Sequence, residues 1–146
     1  MKLSTKGRYG LRAMVDIAGY SQDSPVPIAE RQNISVRYLE QLLPKLKKAG
    51  IIKSIRGAQG GYMLDKDPKD ISAGDILRTL EGDLTPIDCA AFTGDTSTCS
   101  GTKFCVTKTV WKRINDSVQQ AVDSITLQEL MEESIEIHTK YDQEER

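Results

Sequence analysis

Three cysteines, Cys89, Cys99 and Cys105, lie within 17 residues of one another in a C-x9-C-x5-C spacing. Clustered thiols in a reducing compartment are more often metal ligands or redox groups than disulfides, and thiolates bind soft metals. The spacing therefore favours an iron–sulfur cluster or zinc, and three incidental thiols is the alternative. Both groups normally take four ligands. We expect the only histidine, His138, to be a surface residue, so Asp88, Asp95 or a group from a partner subunit would complete the set.

A second set of residues could contact an anionic polymer. The segment 36–49 places its apolar residues on one helical stripe, and a mixed basic and polar face lies opposite. That face carries Arg37, Glu40, Gln41, Lys45 and Lys48. Ser35 is the expected N-cap, and a short helix from Pro27 to about Asn33 precedes it. A lone helix of this kind is usually just solvated, but helix, turn and helix together are typical of DNA-binding proteins.

The next segment predicts a β-hairpin with a glycine-rich tip, which after such a helix pair is a wing. Two short β-branched or aromatic runs, 51–56 and 62–65, flank this tip. A positive side chain beside a tip with little bulk suits contact with phosphates or entry into a minor groove. A nucleotide-phosphate loop is disfavoured because neither glycine motif of that class occurs. The candidate wing contacts are Arg56, Gly57, Gln59, Gly60, Gly61 and Tyr62.

Charge separates the chain into two halves. Residues 1–66 hold 12 Lys/Arg and 5 Asp/Glu, whereas residues 67–146 hold 8 and 16, so that the net charge is only −1. A basic first half indicates an anionic partner there. The chain has no apolar run long enough to span a membrane and no signal-peptide core, so we expect a cytoplasmic protein. No nucleophile–base pair or carboxylate dyad is apparent, which argues against an enzyme.

The second half predicts an oligomer. A helix over 106–125 would carry a long apolar stripe, more than a small winged domain can cover, and we predict a two-fold homodimer built on this helix. Thr126 and Glu129 form a capping box for a last helix. The expected organisation is a winged helix-turn-helix domain (1–82), a cluster-binding loop (83–105) and a dimerisation region (106–146). The fold class is mostly α with a small β-hairpin wing.

Several stretches of the sequence resemble the IscR, NsrR and CymR family of bacterial winged-helix transcription regulators. They are Ser4–Leu11, Ile34–Leu42, Gly50–Tyr62, Gly74–Gly82 and Ile125–Leu130. The resemblance implies a homodimer that binds an operator with an affinity set by an iron–sulfur cluster. It also implies Arg37, Glu40 and Gln41 as base readers and Arg56 as the wing contact. The [2Fe–2S] type is expected from the IscR branch, with the three cysteines as ligands.

The sequence departs from the family at the fourth ligand. The IscR branch has a histidine where this chain has Lys108, and the nitric-oxide branch has an acidic residue where it has Arg8. The fourth ligand therefore stays unknown. Alternatives to the cluster-controlled regulator are a cluster-free or zinc-containing repressor of cysteine or sulfur metabolism and, less favoured, a small iron–sulfur carrier.

Overall fold

The computed structural model describes residues 3–20, 25–57, 60–89, 99, 101 and 104–146. In these ranges the chain is mainly helical, with one two-stranded antiparallel hairpin and a short 3-10 turn at Pro68–Asp70. None of the described helices combines the length and the apolar character that a bilayer crossing needs. The elements are α1 (Thr5–Tyr20), α2 (Pro25–Gln32), α3 (Val36–Lys48), β1 (Ile52–Ser54), β2 (Tyr62–Leu64), α4 (Ala73–Glu81), α5 (Lys108–Ser124) and α6 (Leu127–Glu144).

One hydrophobic core lies between α1, α2, α3, α4 and the hairpin. Each helix contributes the apolar stripe that its sequence predicts, and the fully buried side chains include Met14, Ile17, Leu39, Leu42, Leu43, Leu46 and Ile76. α1 and α4 pack closely at Gly10, where an added Cβ would lie 2.0 Å from Cδ1 of Leu80. The predicted winged helix-turn-helix is confirmed in this part of the chain.

Two backbone hydrogen bonds tie the last two helices to this core. The segment before α4 pairs with the junction between α5 and α6, where Ser72 and Thr126 form an isolated antiparallel bridge. The Ala73 N–H donates to the Ile125 carbonyl (2.8 Å), and the Leu127 N–H donates to the Ile71 carbonyl (2.8 Å). Leu127 is fully buried in the core. The start of α6 is thereby fixed against the winged domain.

The helix boundaries differ from the sequence expectations at two places. α2 begins at Pro25 instead of Pro27, and both prolines fit because the first helical turn needs no N–H donors. The long helix spans Lys108–Ser124 instead of 106–125. Ile125 is extended because its carbonyl bonds to Ala73 instead of continuing the helix. Two capping boxes are present, at Ser72–Asp75 and at Thr126–Glu129. The Thr126–Glu129 box confirms the prediction from the sequence.

Candidate nucleic-acid interface and cysteine segment

α3 presents one buried and one exposed face. Ser35 caps it as predicted, because its Oγ accepts a hydrogen bond from the Tyr38 N–H (3.1 Å). Leucines at 39, 42, 43 and 46 fill the core. The five predicted contact residues, Arg37, Glu40, Gln41, Lys45 and Lys48, are all exposed. Core packing therefore holds the helix while its polar side chains stay available to a partner.

Lys47 is a further exposed cation in the last turn of α3, beside Lys45 and Lys48. Lys47 was not predicted as a contact because it does not lie on the row of residues four apart that runs from Arg37 through Gln41 to Lys45. Three lysines at a helix C-terminus interact favourably with the helix dipole, and they also concentrate positive charge at this end of the exposed face.

The turn between α2 and α3 is tight and well bonded. Asn33 adopts a left-handed conformation (φ 53°), which asparagine tolerates better than most residues. The Ile34 N–H then donates to the Ala29 carbonyl (3.1 Å), and the Ile34 side chain is buried. The Arg12 guanidinium donates to the Gln32 carbonyl. These contacts hold the turn that sets the angle of α3 to α2.

A buried carboxylate holds α2 against α1. Asp16 is only 3% exposed and accepts from Arg31, whose Nη2 lies 2.6 Å from Oδ1, and from Gln32 Nε2 at 3.0 Å. The Arg31 guanidinium also lies over the Tyr20 ring, 4.2 Å from its centroid. Paired and hydrogen-bonded in this way, the buried charge orients the support helix of the turn.

The wing forms as predicted from two antiparallel strands, with Ile52 opposite Leu64 and Ser54 opposite Tyr62. Its pairing continues beyond the strands, since the Ile55 N–H donates to the Gly61 carbonyl (2.9 Å). Gly60 has φ 60°, which favours glycine at the tip. Arg56, Gly57 and Gly60 are exposed.

The other predicted wing contacts are placed differently. Gly61 is buried, and Tyr62 is half-buried and packs against the core, so its ring partly supports the wing from within. Gln59 lies outside the described residues. Within the described wing, Arg56 is thus the exposed cation beside a narrow tip, a shape suited to a groove or a phosphate.

A cluster of aromatic and basic residues joins the start of α1 to α3. Tyr9 and Tyr38 meet edge to face, with ring centroids 5.8 Å apart, and the Tyr38 hydroxyl is 2.7 Å from Oγ1 of Thr5. The guanidinium groups of Arg8 and Arg12 lie near the Tyr9 ring, 5.9 and 5.5 Å from its centroid. From the sequence, this segment contributed only to the family resemblance. The close spacing of Lys6, Arg8, Tyr9 and Arg12 was the available signal for a contact surface.

Glu81 was also missed as a structural residue of this surface. Its Oε1 accepts from the Ser4 hydroxyl (2.6 Å), the Ser4 N–H (3.0 Å) and the Gly7 N–H (2.8 Å). The Ser4 hydroxyl bond, with the backbone bonds and the Lys6 charge, holds the Glu81 pKa below its ordinary value. A carboxylate from the end of α4 thus caps the positive end of α1.

No disulfide joins the three cysteines. Cys89 and Cys105 are half-buried and Cys99 is exposed, while residues 90–98, including Asp95, lie outside the described residues. Among the residues that are described, no three His, Cys, Asp or Glu side chains come together as a metal site. His138 is exposed on α6, as expected, and its Nδ1 lies 2.7 Å from the Ser134 carbonyl.

Cys105 has the environment of a thiolate. The Thr107 hydroxyl, 2.9 Å from its Sγ, lowers the pKa of the thiol most, followed by backbone N–H groups of Lys108 and Thr107 and the Lys108 charge. The start of a helix favours a thiolate for the same reason, because α5 begins at Lys108 and its first N–H groups face the sulfur. A thiolate is the form that ligates metals.

The apolar stripe of α5 is largely uncovered. No residue of this helix is buried. Val106 just before it is 82% exposed, and Val110 and Ile114 within it are 50% and 40% exposed. The C-terminal half of α5 contacts α4, where Arg78 binds Asp123 and Gln119 and Val122 lies beside Gly74.

Three comparisons with known proteins agree on one family. The family model "Rrf2: Iron-dependent Transcriptional regulator" matches residues 3–133. The HTH-type transcriptional regulator IscR of Vibrio vulnificus is 43% identical over 147 aligned positions, which cover 97% of this chain and 85% of that regulator. IscR of Yersinia pestis is 40% identical, over 90% of this chain and 79% of its own length.

Solved structures give the same result at the level of the fold. CymR (YrzC), the global cysteine regulator of B. subtilis, superposes with a TM-score of 0.72 at 41% identity, covering 90% of this chain and 97% of its own. IscR of T. potens superposes with a TM-score of 0.72 at 45% identity, covering 92% and 88%.

Proposed function

This chain belongs to the Rrf2 family of transcriptional regulators, and from that premise we propose that it binds a DNA operator as a homodimer whose affinity an iron–sulfur cluster controls. Its relatives are named as regulators, not as enzymes. The observation that best supports DNA binding is the exposed polar face of α3. Buried leucines on the opposite face fix this helix in the core, and the wing with Arg56 follows it in the chain.

The proposed division of contacts follows from side-chain chemistry. Arg37, Glu40 and Gln41 lie in the first half of α3, the part of a recognition helix that reaches base edges in a major groove. Lysines at 45 and 48 contact phosphates, and the wing residues Arg56, Gly57, Gln59 and Gly60 approach the adjacent backbone or minor groove. Gly61, which is buried, and Tyr62, which packs against the core, support the wing. Phosphate contacts make the affinity fall steeply with salt.

The test uses a duplex selected by the wild-type protein from a random-sequence pool and a scrambled duplex of equal length. Arg37→Ala should weaken binding to the selected duplex by about 1–3 kcal/mol, with less effect on the scrambled one. Arg146→Ala removes the same charge beyond α6 and serves as the control. If Arg37→Ala binds each of the two duplexes as tightly as wild type does, the assignment of Arg37 as a base reader is refuted.

Cys89, Cys99 and Cys105 are the proposed ligands of the cluster, for which the [2Fe–2S] form is the first candidate. Three cysteine thiols suit iron–sulfur or zinc binding, and Cys105 is held toward the thiolate that ligation requires. When bound, the cluster would supply a redox- and ligand-sensitive group at the start of α5. This chain's part is to anchor the cluster beside the proposed dimer helix, so that its loss changes the arrangement of the two winged domains.

Spectroscopy of protein purified without oxygen tests the cluster. We expect visible absorption bands and a paramagnetic-resonance signal after reduction, both lost in each of Cys89→Ala, Cys99→Ala and Cys105→Ala. Asp88→Ala tests a candidate fourth ligand, and His138→Ala, at an exposed position on α6, is the control. If all three cysteine variants keep the wild-type signal, the ligand assignment is wrong.

A cluster-free or zinc-containing repressor is the second candidate. It is favoured by the likeness to CymR, a cysteine regulator. Colourless protein that binds the selected duplex with full affinity would support it. Coloured protein with no salt-dependent DNA binding would instead favour an iron–sulfur carrier.

A further inference from the structure

We propose that α4 is a brace between the long helix α5 and the recognition helix α3, and that Arg78 is the positioning residue that fixes the winged domain's angle on the dimer helix. The inference rests on the proposed dimeric DNA binding. It assigns a role to residues that lie outside both the DNA-contacting face and the cysteine segment.

The first half of the brace is a forked ion pair. Arg78 Nη1 lies 2.6 Å from Asp123 Oδ1 and Nη2 lies 2.9 Å from Oδ2, while Nη2 also donates to Gln119 Oε1. The hydrogen bonds of the fork, and after them the opposite charges, lower the pKa of Asp123 and raise that of Arg78. Two parallel bonds to a carboxylate fix an orientation that one point contact cannot.

The backbone of α4 makes room for this fork. A Cβ at Gly74 would overlap Asp123 Oδ1 and would lie 2.8 Å from Arg78 Nη1 and 3.1 Å from Cγ2 of Val122. A side chain at position 74 would therefore displace the charged groups of the fork. Close approach and a bidentate pair on adjacent turns leave α5 little freedom to rotate against α4.

The second half of the brace begins one turn farther along α4. Glu81 accepts three hydrogen bonds from the first turn of α1, at Ser4 and Gly7. Thr5 and Tyr9 on that turn and the next contact Tyr38 of the recognition helix. The contacts thus run without a gap from Asp123 through α4 and α1 to α3.

The position of α5 matters because of the geometry of duplex DNA. Two recognition helices meet successive major grooves only when they are about 34 Å apart. A small rotation between α5 and the winged domain changes that separation in both protomers of a symmetric dimer. The brace therefore sets which spacing of half-sites the protein accepts.

The experiment measures spacing preference in the full-length protein. The probes are the duplex selected from a random pool by wild type, and the same duplex with one base pair added to or removed from its centre. We expect Arg78→Met to lose at least about fivefold of the wild-type preference for the original spacing. Asp123→Ala should lose as much of this preference. The double variant, Arg78→Met with Asp123→Ala, should lose no more of it than either single variant does.

Lys112→Met is the matched control. It removes an ion pair of similar length, Lys112 to Asp116 at 2.7 Å, but one that lies within α5 and does not reach α4. It should keep the wild-type preference. The Arg78 side chain and Asp123 are partly exposed, so their removal should leave the fold and the dimer intact, which thermal melting and sedimentation check.

Each outcome decides a different point. Unchanged spacing preference in dimeric, folded Arg78→Met and Asp123→Ala would overturn the brace and leave DNA binding standing. An equal loss in Lys112→Met would also overturn it, because the effect would then be one of charge. If wild type selects no sequence or sediments as a monomer, the proposed function fails, and the brace with it.

Discussion

The winged domain and the long helix α5 differ in how much of their apolar surface is buried within the chain. In the described chain the buried apolar side chains lie between Ala13 and Leu84, together with Leu127. α5 carries a long apolar stripe of which no residue is fully buried: Val110 and Ile114 are exposed, and Val118 and Val122 are half-buried. The winged domain is complete within one chain, whereas α5 needs a partner, and we infer that a second copy supplies it.

Charge follows the same division. The first 66 residues carry a net charge of +7 and the rest −8, so the basic surface coincides with the self-contained domain. Keeping the acidic part on the interaction helices separates contact with DNA phosphates from contact between subunits. Each region can then be altered without the other, and variants in each should affect different measurements.

The largest expected effect is on assembly. Ile114→Lys places a charge on the uncovered stripe, where a two-fold dimer would bury the position twice. Burial of one isoleucine contributes about 1.5–3 kcal/mol, so dimerisation should weaken by about 3–6 kcal/mol. Sedimentation equilibrium measures the change, and Lys112→Ala on the opposite side of α5 is the control. A variant with the wild-type dissociation constant would contradict the comparison.

Core truncation should separate the two regions next. Leu43→Ala in α3 removes a side chain that is fully buried and should lower the free energy of unfolding by about 2–5 kcal/mol. Val110→Ala in α5, half-exposed, should change it by less than about 0.5 kcal/mol. Urea unfolding is compared in the monomeric Ile114→Lys background. A loss at Val110 as large as that at Leu43 would mean that α5 packs within its own chain.

Two glycines of α1 should respond in opposite directions. Gly10→Ala forces a Cβ against Leu80 and should destabilise the winged domain by about 1–3 kcal/mol. Gly19→Ala meets nothing within 4 Å and should stabilise the helix by about 0.5–1 kcal/mol. Thermal melting distinguishes them. Stabilisation by both substitutions would show that α1 and α4 are not tightly packed.

The smallest effect concerns the Glu81 cap. Its pKa in the folded protein is lowered, so its contribution to stability is present above the ordinary value of 4.5 and is lost as pH falls through the lowered value. Glu81→Gln should reduce stability at pH 7 by about 0.5–1 kcal/mol and flatten this part of the acid decline. Urea midpoints between pH 7 and pH 3 test it; an unchanged slope below pH 4.5 would exclude the cap.

The sequence was sufficient where structure depends on near neighbours. Ser35 and the Thr126–Glu129 box are caps that span three residues, and both appear as expected. The leucine stripe of α3 likewise follows from helical spacing. The predicted end of the long helix was wrong. The Ile125 carbonyl accepts a hydrogen bond from the Ala73 N–H, and no local sequence pattern encodes this distant contact.

Long-range polar contacts could not be predicted at all. Glu81 lies 74 residues from Gly7, and Arg78 lies 45 residues from Asp123. In sequence, each is one more charge on an amphipathic helix, and its partner depends on how whole helices pack. The exposed residues of the wing and α3 could be predicted because basic and polar side chains opposite an apolar stripe are visible in the sequence, whereas the groups that orient this face are not.

The pairing of Ser72 with Thr126 also bears on how this protein could be lengthened or rebuilt. Residues 73–125 form a closed loop whose two ends are joined by the 2.8 Å bond from Ala73 to Ile125. The closure entropy of a loop grows only with the logarithm of its length. Several residues inserted between Cys89 and Cys99 should therefore raise the free-energy cost of closing this loop by well under about 1 kcal/mol. The spacing between Cys89 and Cys99 is thus free to change, or to be grafted from a relative, while the base of the loop stays in register.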